Sequence, residues 1–205
     1  MRNTIICIGR QFGSGGHEIA LRTGKKLGLE VYDEEMITLA CGKGEVREEV
    51  LRSEDEKPVN PFLFRTMHEG NEKVNRTKPA GDVLFDLQAL VIKDLAKAGD
   101  CIIVGRCADD VLKQEDVNVL SVFIQAPFDY RVKRKMELEN LSQGKTEKLV
   151  TRTDKHRRKY YESHTRKEWG AESTYDLIFD TGTMTLDEVA DQIANEYQKR
   201  KNNQN

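Results

Sequence analysis

The residue types best suited to chemistry are concentrated at positions 9–20, GRQFGSGGHEIA. Gly9, Gly13, Gly15 and Gly16 place four glycines within eight positions, after an apolar run and before an amphipathic one. Glycine tolerates positive φ, so successive peptide N–H groups can turn towards one point. A helix N-terminus following the loop adds partial positive charge. The chemistry this suggests is the binding of an anion the size of a phosphate. A ligand-free strand-to-helix turn is the alternative, but one turn does not need four glycines. The candidate phosphate-binding segment is therefore Gly9, Arg10, Gln11, Phe12, Gly13, Ser14, Gly15, Gly16, His17 and Glu18.

The segment departs from the usual phosphate-loop pattern, G-x-x-x-x-G-K-[ST]. With the second glycine at Gly15, the lysine slot holds Gly16 and the hydroxyl slots hold His17 and Glu18. Ser14 falls one position too early to replace that hydroxyl. Arg10 and Arg106 are the nearest residues able to supply the missing positive charge. Arg106 follows a strand-like run, where a charge suits a phosphate contact; an ion pair with Asp109 or Asp110 is the alternative. Asp33 ends a second short run and can hold a magnesium-bound water, orient an acceptor, or serve as a turn or cap residue. A polar stretch carries Arg152, Asp154, Lys155, Arg157, Arg158 and Arg166. Arginine forks meet phosphate oxygens in pairs, so the stretch fits a lid over a transferred phosphoryl group. A solvated charged helix is the other reading. Arg131 and Arg134 are one turn apart on the preceding element, so either can face the same cleft. His156, His164, Tyr160, Tyr161 and Trp169 can stack on a base or pack the lid on itself. His17 and His68 are isolated, and phosphoryl transfer asks mostly for positioning and charge stabilisation rather than a histidine base.

The elements that must position these residues read as alternating strands and helices. Thr4–Ile8 is continuously apolar, as a strand buried on both faces must be. Ile19, Ala20, Leu21, Thr23 and Leu27 form a helical stripe stopped by Gly28, and 29–32 is a short strand. Val83–Ala98 returns to helical period, 101–105 and 117–124 are strands, 128–140 is a charged helix, and 175–180 is a last strand. Thr185 opens a final helix with Asp187 and Glu188 in its first turn, where acids suit the helix dipole. This predicts an α/β fold, a doubly wound parallel five-stranded sheet, with ligands at the carboxyl ends of its strands. Residues 34–80 and 141–172 are polar, punctuated by proline or rich in arginine, and are expected to form two mobile helical inserts on one 1–205 domain.

The chain has 205 residues, enough for one domain with a sizeable core. Thirty-three lysines and arginines against 35 aspartates and glutamates give a net charge of −2, which argues against a general nucleic-acid binder. Mean hydropathy is −0.66, and no apolar run approaches the ~20 residues of a membrane span. The first residues carry too short an apolar stretch for a signal peptide. The four cysteines show no C-x-x-C pair. Buried small hydrophobes in a reducing, cytoplasmic compartment are the expectation, with no nucleic-acid and no membrane partner.

Several stretches resemble the cytidylate kinase-like family, a divergent branch of the P-loop nucleoside monophosphate kinases. They are residues 5–37, CIIVGRCADDVL at 101–112, VFIQAPFDYRVKRKM at 122–136, TDKHRRKYYESHTRKEWG at 153–170 and YDLIFDTGTMTLDEVADQI at 175–193. The resemblance implies the P-loop NTPase fold, with ATP and Mg²⁺ as cofactors and a nucleoside monophosphate, CMP or dCMP, as acceptor. Arg10, Arg106 and Asp33, placed by their own positions, and Arg157 and Arg158, which the resemblance matches to the lid, are the residues expected to take part in transfer. The resemblance also implies that Asp33, Arg131, Asp154 and Arg157 meet the substrate, that 34–80 holds the acceptor, and that 141–172 is the lid. True cytidylate kinases keep the loop lysine and an aspartate-serine-glycine turn after the second strand, with an arginine six residues beyond the aspartate. Here Gly16, Asp33-Glu34-Glu35 and Leu39 stand at those places. Three functions follow: a cytidylate kinase-like phosphotransferase, a nucleotide- or phosphate-binding regulatory module that has lost transfer, or a kinase for a non-nucleotide acceptor.

Overall fold

Strand β1 (Thr4–Arg10) is apolar over most of its length because strands flank it and helices cover both its faces. In the computed structural model, which describes residues 2–33 and 80–203, it pairs in parallel with β3 (Cys101–Val104) and β4 (Asn118–Gln125). Strand β2 (Glu30–Tyr32) adds to β3 and β5 (Leu177–Asp180) adds to β4, so the order is β2-β3-β1-β4-β5. The expected five-stranded parallel sheet is present.

Period-two alternation sorts the core between the two faces. Ile6, Ile8, Ile102, Val104, Leu120, Val122 and Ile124 pack under α1 (Gly16–Leu27) and α6 (Leu186–Asn202). Ile5, Cys7, Cys101 and Ile103 pack under α2 (Ala80–Ala98) and the short α3 (Ala108–Val111). Thr185 opens α6 as expected and caps it through a reciprocal pair with Glu188, which adds a hydrogen-bonded cap to the dipole role expected of the acid. Cys7, Cys101 and Cys107 are buried thiols, and burial pushes Cys101 up to about 12, so they behave as small hydrophobes. No helix among the described residues is long and apolar enough to cross a membrane.

The expected acceptor insert, 34–80, lies outside the described residues except for Ala80, where α2 starts. The lid segment differs from expectation in its anchoring. Helix α4 (Phe128–Glu139) leads into α5 (Gln143–Thr165), a single helix of 23 residues. Thr146, Val150 and Tyr161 of α5 are buried, and Trp169 beyond it is 7% exposed. Tyr161 and Trp169 join Cys107, Phe123 and Tyr175 in an aromatic cluster past the carboxyl end of the sheet. Phe123 meets the Trp169 ring edge-on at 5.1 Å. Strand β5 starts at Leu177 rather than Tyr175, because the Tyr175 ring turns into this cluster.

Candidate active site

The glycine loop connects β1 to α1 and is fastened to the sheet at several points. Gln11 N–H donates to the Ile124 carbonyl at 2.9 Å, and Gln11 Oε1 accepts from Ala126 N–H at 3.1 Å. Ser14 is fully buried; its hydroxyl donates to the carbonyls of Gln11 and Ile124 at 2.8 and 3.1 Å. Thr181 Oγ1 donates to the Ser14 carbonyl at 2.8 Å. Ser14 thus shapes the loop rather than facing a metal. Gly13 and Gly15 take φ of 84° and 88°. A Cβ on Gly15 would also stand 2.7 Å from Leu186 Cδ2, so geometry and space both require glycine there. Within the described residues, the peptide N–H groups of Gly13, Gly15, Gly16 and His17 donate to no protein group. They border a cleft of about 290 Å³ that Asp33, Arg134, Lys135 and Arg157 also line. Unspent donors around a helix N-terminus form a cradle that suits nucleotide phosphates.

Arg10 is the cation of this cradle. Counting back five positions from Gly15, the opening glycine of the usual pattern falls on Arg10 itself. Its side chain crosses the loop: a Cβ on Gly16 would lie 2.6 Å from Arg10 Cβ and 3.0 Å from Arg10 Cγ. A Cβ on Gly105, at φ 80°, would strike the Arg10 guanidinium. Against the usual pattern, the loop thus carries its cation at the opening slot and a glycine at the lysine slot. Glycine at 16 and 105 leaves the channel the arginine occupies. Asp33 holds the far end, with Oδ1 3.5 Å from Arg10 Nη2 and Oδ2 2.8 Å from His17 Nδ1. Asp33 thus sits at the loop cleft as the partner of two of its side chains.

Helix α5 meets the loop through one face. Asp154 accepts from Phe12 N–H at 2.7 Å and from Arg131 Nη1 at 2.5 Å. Arg131 is buried and also donates to the carbonyls of Ala126 and Phe12, both at 3.0 Å. Arg131 and Asp154 therefore join α4, α5 and the loop tip. Arg157 donates to the Arg10 carbonyl at 3.4 Å and lies over the Phe12 ring at 5.6 Å. Arg158 is exposed against Trp169 and lines neither the loop cleft nor the aromatic cavity beside it. Arg152, Lys155 and Arg166 are exposed as well. Glu18, in the hydroxyl slot, is held by Arg22 and by Arg134 at 2.6 Å.

A second, smaller cavity of about 30 Å³ opens beside the loop, at the carboxyl ends of β1 and β3. Arg10, Arg106 and Arg157 border it with Asp109, Tyr161, Trp169 and Tyr175. Arg106 is 6% exposed, and it follows Gly105 and precedes Cys107 in a run of three residues at positive φ. Holding two non-glycine residues there costs on the order of 1–3 kcal/mol each, a strain typical of ligand sites. Neither acid near Arg106 in sequence is committed to it: Tyr161 donates to Asp109 at 2.5 Å, and Lys167 pairs with Asp110 at 2.8 Å. Burial pushes the Asp109 carboxyl up, and the Tyr161 hydrogen bond only partly opposes this. Among the described residues the buried Tyr175 hydroxyl has no partner within hydrogen-bonding geometry, and it stands 3.2 Å from where a Gly9 Cβ would be. Of the wall residues, the sequence singles out Asp109 beside Arg106, and Tyr161 and Trp169 for stacking or lid packing. The structure places all three in this cavity, with Tyr161 and Trp169 packed among themselves, and adds Tyr175, which the sequence marks only as the start of a strand.

A five-stranded parallel sheet carrying a phosphate cradle between its first strand and first helix defines the P-loop kinase fold. The model of the cytidylate kinase-like family matches residues 5–183, and the chain belongs to that family. An uncharacterized protein from Eubacterium ventriosum ATCC 27560 is similar at 24% identity and a TM-score of 0.71, over 95% of this chain and 98% of that one. A shikimate kinase from Bacteroides thetaiotaomicron shares the fold at 10% identity and a TM-score of 0.54, over 95% and 98% of the two chains. A gluconokinase from Sinorhizobium meliloti 1021 does so at 12% identity and 0.54, over 99% and 97%. No curated protein matches the chain.

Proposed function

We propose that this protein transfers a phosphoryl group from ATP to a nucleoside monophosphate such as CMP or dCMP. The observation that carries the reading is the Arg10 channel. A loop that had merely lost its lysine would not need glycine at both 16 and 105, nor an aspartate holding an arginine across the gap. When bound, ATP supplies the phosphoryl group, and magnesium neutralises charge on its phosphates. The free N–H groups of Gly13, Gly15, Gly16 and His17 would seat those phosphates. No cluster of three metal-ligating side chains occurs among the described residues. Asp33 and Glu18 are the carboxylates bordering the loop cleft, which fits a magnesium held mainly by phosphate and water.

Transfer in this reading rests on positioning and charge. Arg10 reaches the transferred group from the loop, Arg106 from the end of β3 and Arg157 from α5. Arg131 and Asp154 hold the loop tip in shape. The aromatic wall around Trp169 and Tyr161 keeps water from competing as acceptor. A second reading, a non-nucleotide acceptor, is favoured by the departure of the acceptor turn, where Asp33-Glu34-Glu35 and Leu39 stand in place of the aspartate-serine-glycine turn and its arginine. The test is ADP formation by the purified protein with MgATP against nucleoside monophosphates and small hydroxy acids. Transfer to CMP or dCMP supports the first reading. Transfer confined to hydroxy acids selects the second, and no ADP with any acceptor removes both.

A further inference from the structure

We propose that the outward face of α5 is a binding site for single-stranded nucleic acid. Lys145, Lys148, Arg152, Lys155 and Lys159 follow one another at intervals of three and four residues, and all five are exposed. At 3.6 residues per turn they form one straight stripe, about 21 Å long, with a cation every ~5 Å. The opposite face of the helix bears buried Thr146, Val150 and Tyr161, together with Asp154 and Arg157, which bond to the loop. The stripe thus points away from the phosphate cradle and cannot grip a substrate there. No ion pair engages any of the five among the described residues. The balanced total charge of the chain hides this local excess.

The stripe borders a groove of about 1,020 Å³, shared with His156, Leu149 and Phe128 at the start of α4. Glu147 is the acid on its rim, and Gln143 donates to it at 2.8 Å. Phe128 is 40% exposed, an unusual place for a phenylalanine beside a row of lysines. A row of cations with an aromatic ring at its edge is how single-stranded chains are held: charge tracks the phosphates and the ring stacks on a base. A lipid surface would demand an apolar face, and Phe128 and Leu149 are the groove's two apolar members, too few to insert.

The experiment is fluorescence anisotropy of the whole protein with labelled 12-nucleotide single strands of RNA and DNA, between 50 and 200 mM KCl. Five neutralised phosphates give a log–log salt slope of about −3.5 and a loss of affinity of about 100-fold over that range. Lys145→Glu/Lys148→Glu/Lys159→Glu should bring the slope towards about −1.4, with MgATP turnover and the circular dichroism spectrum unchanged. Phe128→Ala should weaken binding about 5- to 100-fold through lost stacking. Equal competition by inorganic polyphosphate, with no effect of Phe128→Ala, would overturn the nucleic-acid assignment in favour of an undiscriminating polyanion site. Capture by phosphatidylserine vesicles without oligonucleotide binding would overturn it too, as would no binding of any probe. None of these outcomes bears on the kinase reading, because the stripe and the loop lie on opposite faces of α5.

Discussion

The two ends of the sheet treat a half-buried acid in opposite ways. At the amino end, Asp100 accepts from Thr4 N–H at 2.8 Å, from the Tyr197 hydroxyl at 2.5 Å and from Lys201 Nζ at 2.8 Å. Burial raises its carboxyl, but Lys201, Tyr197 and Thr4 together outweigh this and hold it low. At the carboxyl end, Asp109 accepts from the neutral Tyr161 hydroxyl, and burial holds its carboxyl high. Around it lie the positive-φ turn at Arg106 and the Tyr175 hydroxyl, which no described residue partners within hydrogen-bonding geometry. One end spends its polar groups on holding the fold. The other keeps strain and unspent hydrogen-bonding capacity, as a binding site must before its ligand arrives.

This contrast predicts that substitutions at the two ends fail in different assays. The largest effect should come from Arg10→Ala. Losing one charge-assisted contact to the transition state costs about 2–4 kcal/mol, or roughly 30- to 1,000-fold in turnover. The melting temperature should barely move, and ADP formation beside a thermal melt reads both. Arg131→Ala should couple the two properties. It strands Asp154 and two carbonyls, which costs about 3 kcal/mol of stability and loosens the loop, so MgATP affinity should fall together with the denaturation midpoint.

Asp100→Asn should cost about 2 kcal/mol at neutral pH with turnover per folded molecule retained. The sign follows from a depressed carboxyl: its stabilisation is present above the ordinary carboxylate range and is lost as pH falls, so wild type and variant should converge on acidification. Asp109→Asn is the smallest effect and the opposite in sign. A raised carboxyl stabilises the fold when protonated and loses that contribution as pH rises through its folded value. The variant can still accept from Tyr161, so it should be the more stable protein at neutral pH, with the gain vanishing in acid. Urea midpoints measured across pH 3–8 check both; parallel profiles for the two variants would break the contrast.

Much of the architecture was legible because its cause is local. Thr4–Ile8 and 101–104 read as strands since burial on both faces favours a continuous apolar run, and Thr185 with acids in the following turn marks the start of a helix. Helix α5 was legible in part. Its cations look alike in composition, but only positions 154 and 157 share the buried face of 146, 150 and 161, so Arg157 reaches the loop while Arg152 and Lys155 face solvent. The cavity wall was legible only in pieces: Asp109 and Tyr161 could be named one by one, but their convergence with Tyr175 could not, because the three come from segments far apart in the chain. Neither was the purpose of Gly105. A glycine ninety-five residues from Arg10 says nothing of the guanidinium it makes room for until the strands pair.

The claim that Arg10 stands in for the usual loop lysine is tested most directly by placing the cation at position 16 instead. MgATP affinity would be measured by calorimetry for the wild type, Arg10→Gly, Gly16→Lys and Arg10→Gly/Gly16→Lys. Arg10→Gly removes the cation, and Gly16→Lys drives a side chain into the space that Arg10 Cβ and Cγ occupy, so each single change should weaken binding at least tenfold. The double variant rebuilds the usual loop and should recover most of that loss, a coupling between contacting sites that additive effects cannot produce. Losses that simply add in the double variant would contradict the account.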